Sequence, residues 1–268
     1  MRVSSLRCFL PCVVLSLATT QYVRAQGLEP CQAFSAGILV YGGAGRNGNA
    51  PFTATVTDTH DQQLLDGNSI HTSMTTHQWR DSSGRTRSES AIGCFPGDDG
   101  EMHARIHVSV FDRVNGSSYS WTLGPGDSKL VTVSRAMHIP APPLLTAEER
   151  QKRQETIRRQ RVEETFHNES LGTKVIQGVQ AEGSKVTHTL PIGRVGNALP
   201  LTTTEEIWIA KDSGLTMLRL RDDPQTGKWR TEVVELKQGE PDPSLFVPPP
   251  DYTLQELVTK TVAPPTAP

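Results

Sequence analysis

The chain has 268 residues, with 27 basic and 29 acidic side chains and a net charge of -2 at neutral pH. Aromatic residues make up only 6% of it, while 22 Gly and 19 Pro favour short strands joined by turns. Without a basic excess, the composition argues against a nucleic-acid partner.

The first 25 residues have the layout of a secretory signal peptide. Arg2 and Arg7 precede an apolar stretch, and small residues lead up to Ala25. The apolar stretch is too short to span a bilayer, which disfavours the alternative of an N-terminal membrane anchor. We therefore predict cleavage between Ala25 and Gln26 and a mature protein, without a transmembrane segment, that is periplasmic or secreted.

Cleavage leaves two cysteines, Cys31 and Cys94, in the mature chain. It also removes three Arg and no acidic residue, so the net charge moves to about -5. An exported protein folds under oxidising conditions, where two cysteines favour one disulfide bond. We predict that Cys31 and Cys94 are joined; the alternative is a pair of buried, unpaired thiols.

Residues 26–50 are predicted to be a flexible, Gly-rich N-terminal segment. They contain GAGRNG at residues 43–48, which has the spacing of a dinucleotide-binding loop. That loop requires a following helix whose N-terminus receives the pyrophosphate, whereas a Thr-alternating strand follows here. We therefore expect no cofactor.

Residues 51–255 are predicted to form a single β domain. Alternation is clearest in ARIHVSVFD, where four apolar residues share one strand face: Ala104, Ile106, Val108 and Val110. Further strands follow after Gly-containing turns, so residues 103–133 are predicted to form a three-stranded meander. In its middle strand, Tyr119, Trp121 and Leu123 share a face.

Two stretches repeat one pattern, a Trp followed by a short polar run, Ser-Gly and another strand. They are HQWRDSSGRTRSE, from residue 77, and EEIWIAKDSGLTMLR, from residue 205. Gly84 and Gly214 can adopt the positive φ that tight hairpins require. We interpret Trp79 and Trp208 as core anchors of two hairpins, because large aromatic residues dominate core burial.

Residues 146–166 are predicted to form a charged helix between two β halves. Thr146 and Glu149 form a capping box, and Glu precedes Lys or Arg by four residues at several positions. The helix has too few apolar residues for a core-facing stripe. We interpret it as a solvated helix or connector; the alternative is a docking surface.

Residues 50–255 resemble a known group of proteins, and the resemblance is most specific over residues 169–252. The resemblance rests on LGTKVIQGVQAEG, EEIWIAKDSGL, DDPQTGKWRTEVVEL and EPDPSLFVPPPDY. These stretches are similar to a family of exported bacterial proteins and, more distantly, to the periplasmic lipoprotein-carrier superfamily and the sensor domain of envelope-stress sigma-factor regulators (LolA/RseB-like). The resemblance implies a mainly β fold, with a strongly curved antiparallel sheet that forms an open, incomplete barrel. Residues 256–268 lie beyond it and are predicted to be a disordered, Pro-rich tail.

From these features we predict a non-catalytic binding or sensing module of the cell envelope. Its partner would be an acyl chain, a lipoprotein or another envelope protein. An open sheet leaves a concave apolar surface, whose predicted ligand-binding residues are Ile106, Val108, Trp121 and Trp208. The alternative is that the segment around Phe246 closes over this surface and turns it into ordinary core.

Histidines supply the main enzymatic alternative, a metal-dependent envelope hydrolase. His71 and His77 share one strand face and His103 and His107 another, so four imidazoles converge if these strands are neighbours. No H-E-x-x-H motif or nucleophile elbow accompanies them. We therefore predict no catalytic residue and no metal site; a purely structural envelope protein is the third hypothesis.

Overall fold

The computed structural model describes residues 50–135, 146–161 and 164–257. The first half contains β1 Phe52–Gln63, β2 Ser69–Arg80, β3 Thr86–Pro96, β4 Met102–Asp112, β5 Ser117–Leu123 and β6 Leu130–Arg135. The helix α1, Ala147–Arg161, precedes β7 Thr165–Ile176, β8 Val179–Leu190, β9 Leu201–Ala210, β10 Thr216–Asp223 and β11 Gly227–Gln238. A 3-10 turn, Pro243–Phe246, and β12 Thr253–Glu256 follow.

The strands of these described ranges form one sheet, in the order β12-β6-β5-β4-β3-β2-β1-β11-β10-β9-β8-β7. Neighbouring strands are antiparallel, except that β12 pairs with β6 in parallel. Because β12 and β7 are at opposite ends of this order, the described sheet is not closed. Over the residues that it describes, the structure confirms the predicted mainly β fold, an open, curved antiparallel sheet with one helix between two β halves.

The two β halves meet at β1, the first strand of the domain. β1 pairs with β2 on one side and with β11 on the other. Strands β1–β6 therefore form a first meander, which runs outward from the β1–β11 pair. Strands β7–β11 form a second meander, which starts at the other edge of the sheet and runs inward to that pair.

Two separate hydrophobic cores lie along this sheet. The first core consists of Phe52, Ala54, Val56, Ala181, Trp208, Ala210, Leu215, Met217 and Val233. The second core consists of Ile106, Val108, Val110, Trp121, Val131, Val133, Phe246 and Tyr252. Each half of the sheet therefore has its own apolar centre.

The two cores use opposite faces of the β1–β2 pair. Phe52 in the first core lies directly opposite Arg80, whereas Trp79, which packs against the second core, lies opposite Thr53. Successive residues of a strand point to opposite faces, and residues directly opposite each other share a face. The buried side of the sheet therefore changes at its centre.

The predicted strand faces of the meander agree with the structure. In β4, Val108 and Val110 are fully buried, while the side chain of Ser109 between them is only half-buried. The meander predicted over residues 103–133 corresponds to β4, β5 and β6. Local alternation was sufficient to predict these strands because each buries a single face.

The charged helix is shorter than predicted. Its capping box is confirmed, since the Thr146 backbone N–H donates to the Glu149 carboxylate and the Glu149 N–H donates to the Thr146 hydroxyl. However, Thr165 and Phe166, inside the predicted 146–166 helix, belong to β7, as suits a β-branched and an aromatic residue. Among the described residues, no helix combines the length and apolar character needed to cross a membrane.

Several predictions fall outside the described residues. These are the cleavage site at Ala25 and Gln26, the position of Cys31, the Gly-rich segment up to residue 49, and most of the predicted tail of residues 256–268, from residue 258 onward. The first residue of that predicted tail, Glu256, belongs to β12, where it pairs with Val133. Cys94 lies half-buried in β3. Both the cleavage and the Cys31–Cys94 disulfide remain predictions.

Candidate functional site

Three of the four predicted ligand-binding residues lie together in the second core. Val108 lies directly opposite Trp121, and Ile106 lies opposite Leu123, on the paired strands β4 and β5. Trp121 is 3% exposed and Val108 is fully buried. The residues share one surface, as predicted; whether that surface binds a ligand remains a prediction.

Trp208 does not belong to this surface. It lies on β9 in the first core, where its ring packs over Gly183 of the neighbouring strand β8. A Cβ atom at Gly183 would lie 2.6 Å from the Trp208 ring, so only glycine fits beneath it. The grouping of Trp208 with Trp121 is therefore wrong, because the two tryptophans anchor different cores.

The hairpin role of the two tryptophans is consistent with the structure. Gly84 and Gly214 have φ values of 85° and 66°, in the left-handed region that non-glycine residues rarely adopt. Trp79 packs against the second core and Trp208 lies within the first. The repeated sequence pattern is thus a repeated piece of architecture.

The second core is covered by the chain that follows β11. We call residues 241–252 the closing segment; it contains the 3-10 turn and places Phe246 and Tyr252 in the core. Phe246 is 4% exposed, and Leu245 also packs against the core. In this structure the apolar surface is therefore closed, which agrees with the alternative drawn from the sequence.

Polar contacts attach the closing segment to the sheet at its two ends. At one end, the guanidinium of Arg85 lies 4.9 Å from the centre of the Phe246 ring, and Arg87 Nη1 donates to the Leu245 carbonyl at 2.6 Å. At the other end, the Tyr252 hydroxyl donates to the Thr122 carbonyl and to the Asp127 carboxylate. Burial and the adjacent Asp127 raise the pKa of Tyr252, so its hydroxyl stays protonated.

A buried ion pair on β3 lies beneath the closing segment. Arg87 and Glu89 are 9% and 2% exposed, and Arg87 Nε donates to Glu89 Oε1 at 2.7 Å. The Arg87 guanidinium also lies between two tryptophan rings, 5.9 Å from the Trp79 centre and 5.1 Å from the Trp121 centre. The sequence analysis missed this pair, because charged residues in an alternating strand usually face water.

Two polar atoms around this ion pair have no hydrogen-bond partner among the residues that the structure describes. They are Glu89 Oε2, an acceptor, and Trp121 Nε1, a donor. Glu89 lies opposite Val108, and Val108 lies opposite Trp121, so the three residues form a row across β3, β4 and β5 on one face. Buried polar atoms normally have hydrogen-bond partners, so these two atoms are exceptions that require an explanation.

The histidines do not converge. His71 pairs with Asp61 at 2.6 Å, and His103 pairs with Asp99 at 2.7 Å. β3 separates β2, which carries His71 and His77, from β4, which carries His103 and His107. In the part of the chain that the structure describes, no group of three or more His, Cys, Asp or Glu residues is placed to hold a metal ion. The structure therefore does not bring together the four histidines on which the hydrolase hypothesis was based.

Comparisons with known proteins give similarity of structure only. No model of a protein family matches the chain. No curated protein matches it either.

Several solved structures do match, at low similarity. An uncharacterised conserved protein from Thermus thermophilus is 11% identical over 78% of this chain and 91% of its own, with a TM-score of 0.38. In the MucA/MucB complex of Pseudomonas aeruginosa the match is 14% identical over 80% of this chain, with a TM-score of 0.38. It covers 62% of that chain, less than two thirds of its length.

A third match is a putative outer membrane lipoprotein-sorting protein domain from Vibrio parahaemolyticus. It is 11% identical over 74% of this chain and 90% of its own, with a TM-score of 0.27. Because all three TM-scores are low, we base no functional argument on these matches.

Proposed function

We propose that this chain is an exported, non-catalytic binding or sensing module of the cell envelope, periplasmic or secreted. Its ligand surface is the second core, and the closing segment occupies that surface when no ligand is bound. One observation carries the proposal: the second core is completed by Phe246 and Tyr252, which come from the closing segment and not from the strands of either meander.

The closing segment has the features of a part that can move without unfolding the sheet. Its 3-10 turn is four residues long, and three consecutive prolines, Pro248 to Pro250, supply no backbone N–H. The strand that follows it, β12, is also four residues long and is exposed throughout. Segments held by such short hydrogen-bonded stretches open at lower free energy than a sheet interior.

Withdrawal of the segment would expose the apolar floor of the site. That floor includes Ile106, Val108 and Trp121, with the rings of Trp79 and Tyr119 packed at its margin. An exposed apolar surface of this kind favours an acyl chain, the lipid part of a lipoprotein or an apolar segment of a partner protein. Each of these occupants would replace Phe246 at the floor.

A titration with a fluorescent acyl probe tests the proposal. The mature wild-type protein should bind the probe saturably, and the substitution Phe246→Ala should tighten binding because it weakens the closed state. The matched control is Val247→Ala, since Val247 is 57% exposed and lies outside the core. If neither the wild type nor a folded Phe246→Ala protein binds the probe, the proposed function is wrong.

A further inference from the structure

The further inference rests on the proposed function and concerns the chemistry of the ligand. Trp121 Nε1 and Glu89 Oε2 belong to residues that are 3% and 2% exposed, and within the described ranges of the chain neither atom has a hydrogen-bond partner. An unpaired polar atom in a protein interior is costly, because it has lost its hydrogen bonds to water. A ligand that supplies both missing partners would remove that cost.

Glu89 and Trp121 both contact Arg87. The Arg87 guanidinium donates to Glu89 through Nε and Nη2, and its centre lies 5.1 Å from the centre of the Trp121 ring. One orphaned atom accepts a hydrogen bond and the other donates one. The missing group must therefore donate to Glu89 and accept from Trp121.

The charges around this point select against an ionised ligand. Arg87 and Glu89 neutralise each other, and the Arg87 guanidinium also lies near two aromatic rings of the sheet, which stay in place when the closing segment withdraws. A carboxylate would be repelled by Glu89 and could not donate to it, and an ammonium group could not accept from Trp121. A hydroxyl group satisfies both atoms without adding a charge.

We propose that the second core takes an apolar ligand with an uncharged hydroxyl head group, and that this hydroxyl bridges Glu89 Oε2 and Trp121 Nε1. The tail then lies along Ile106 and Val108, in the place that Phe246 occupies in the closed state. Glu89 and Trp121 determine the specificity of the site, while the apolar floor provides most of the affinity.

Competition among matched chains tests this head-group preference. Dodecanol, dodecyl methyl ether, dodecanoate and dodecylamine should each be titrated against the fluorescent acyl probe bound to the mature wild-type protein. The ether accepts a hydrogen bond but cannot donate one. Dodecanol should compete at concentrations about tenfold lower than the other three, because a site built for a hydroxyl rejects analogues that leave a buried polar atom unpaired.

A substitution at Trp121 tests the same contact from the protein side. Trp121→Phe keeps an aromatic ring and removes the N–H donor, so the preference for dodecanol over the other chains should fall to below about threefold. The matched control is Trp229→Phe, because Trp229 stacks on His60 at 3.8 Å and lies outside both cores. This control should keep the wild-type preference.

The outcomes separate the inference from the proposed function. If the probe binds but the four chains compete equally, or dodecanoate competes best, the hydroxyl site is wrong and the binding function stands. A preference that persists in folded Trp121→Phe also overturns the site. If Trp121→Phe does not fold, the wild-type series decides alone. Absence of any probe binding overturns the inference together with the function.

Discussion

The two cores of this protein are built in different ways. The first core consists of strand residues, together with Leu215 from the turn that joins β9 to β10. The second core also contains strand residues, which come from the first meander. It is completed by Phe246 and Tyr252 of the closing segment, which follows β11. One core is therefore part of the sheet, whereas the other depends on a segment that lies over the sheet.

This difference assigns different roles to the two halves. The first core joins distant parts of the chain, because β1 pairs with β11 and both contribute buried residues to it. Opening it would break the pairing of the two meanders. Opening the second core would only lift the closing segment and β12 away from the sheet. Under the proposed function, the second core is thus the part of the molecule in which ligand binding and the stability of the sheet can be separated.

The largest effect is expected from a substitution in the first core. Met217 is fully buried, so Met217→Ala should lower the free energy of unfolding by about 2–5 kcal/mol through loss of apolar contacts and formation of a cavity. Urea unfolding measures this loss, and the probe affinity of the protein that remains folded should not change. Ile209→Ala is the control, since Ile209 is 43% exposed; an equal loss there would contradict the assignment of this core.

A smaller effect is expected when the Phe246 side chain of the closing segment is shortened to Ala. Phe246→Ala should lower the free energy of unfolding by about 1–3 kcal/mol, below the roughly 3–5 kcal/mol typical of a buried Phe, because the segment can open while the sheet persists. The same urea titration measures it. A loss as large as that of the first core, accompanied by loss of β-sheet circular dichroism in water, would show that the segment is an inseparable part of the fold.

The smallest effect is expected from His107, on the face of β4 opposite the second core. Burial lowers the pKa of His107, and its cross-strand neighbours Ser90 and Thr122 carry no charge. The unfolded chain binds the proton at an ordinary pKa of about 6.5. Stability should therefore fall as pH decreases through about 6.5 toward the lower folded-state pKa, and then level off.

The variant His107→Gln isolates this contribution. Its free energy of unfolding, measured by urea titration from about pH 7.5 to about pH 5, should depend less on pH than that of the wild type. If the two pH profiles run parallel, His107 is as accessible to water in the folded protein as in the unfolded chain. The face opposite the second core would then be more open than the structure indicates.

The sequence predicts local structure well and non-local pairing poorly. The alternation of Phe52, Ala54 and Val56 and that of Ile106, Val108 and Val110 predict which side of each strand is buried. This alternation contains no information on the pairing of β1 with β11, since paired residues such as Val56 and Val233 are distant in sequence. Nor does it show that the buried side of the sheet changes between Trp79 and its neighbour Arg80.

The candidate site shows the same limit. Ile106, Val108 and Trp121 were identified because an apolar stripe crosses two neighbouring strands. Arg87 and Glu89 were missed, since burial of a charge depends on its partners and on the closing segment far along the chain. One signal was available: Arg87 and Glu89 share the strand face of Ala91, which packs against the second core. A pair of opposite charges on the same strand face as apolar residues is an indication of a buried polar site.

Amide hydrogen exchange of the native protein tests the central claim most directly. Four amides report on the closing segment and the start of β12: Leu245, Val247, Tyr252 and Thr253, which donate to Asp242, Ser244, Pro249 and Lys129. They should exchange through a local opening of lower free energy than the paired amides of β1 and β11, and a bound acyl ligand should alter their exchange selectively. Exchange of all these amides only by global unfolding would contradict the account, because the second core would then be a fixed part of the sheet.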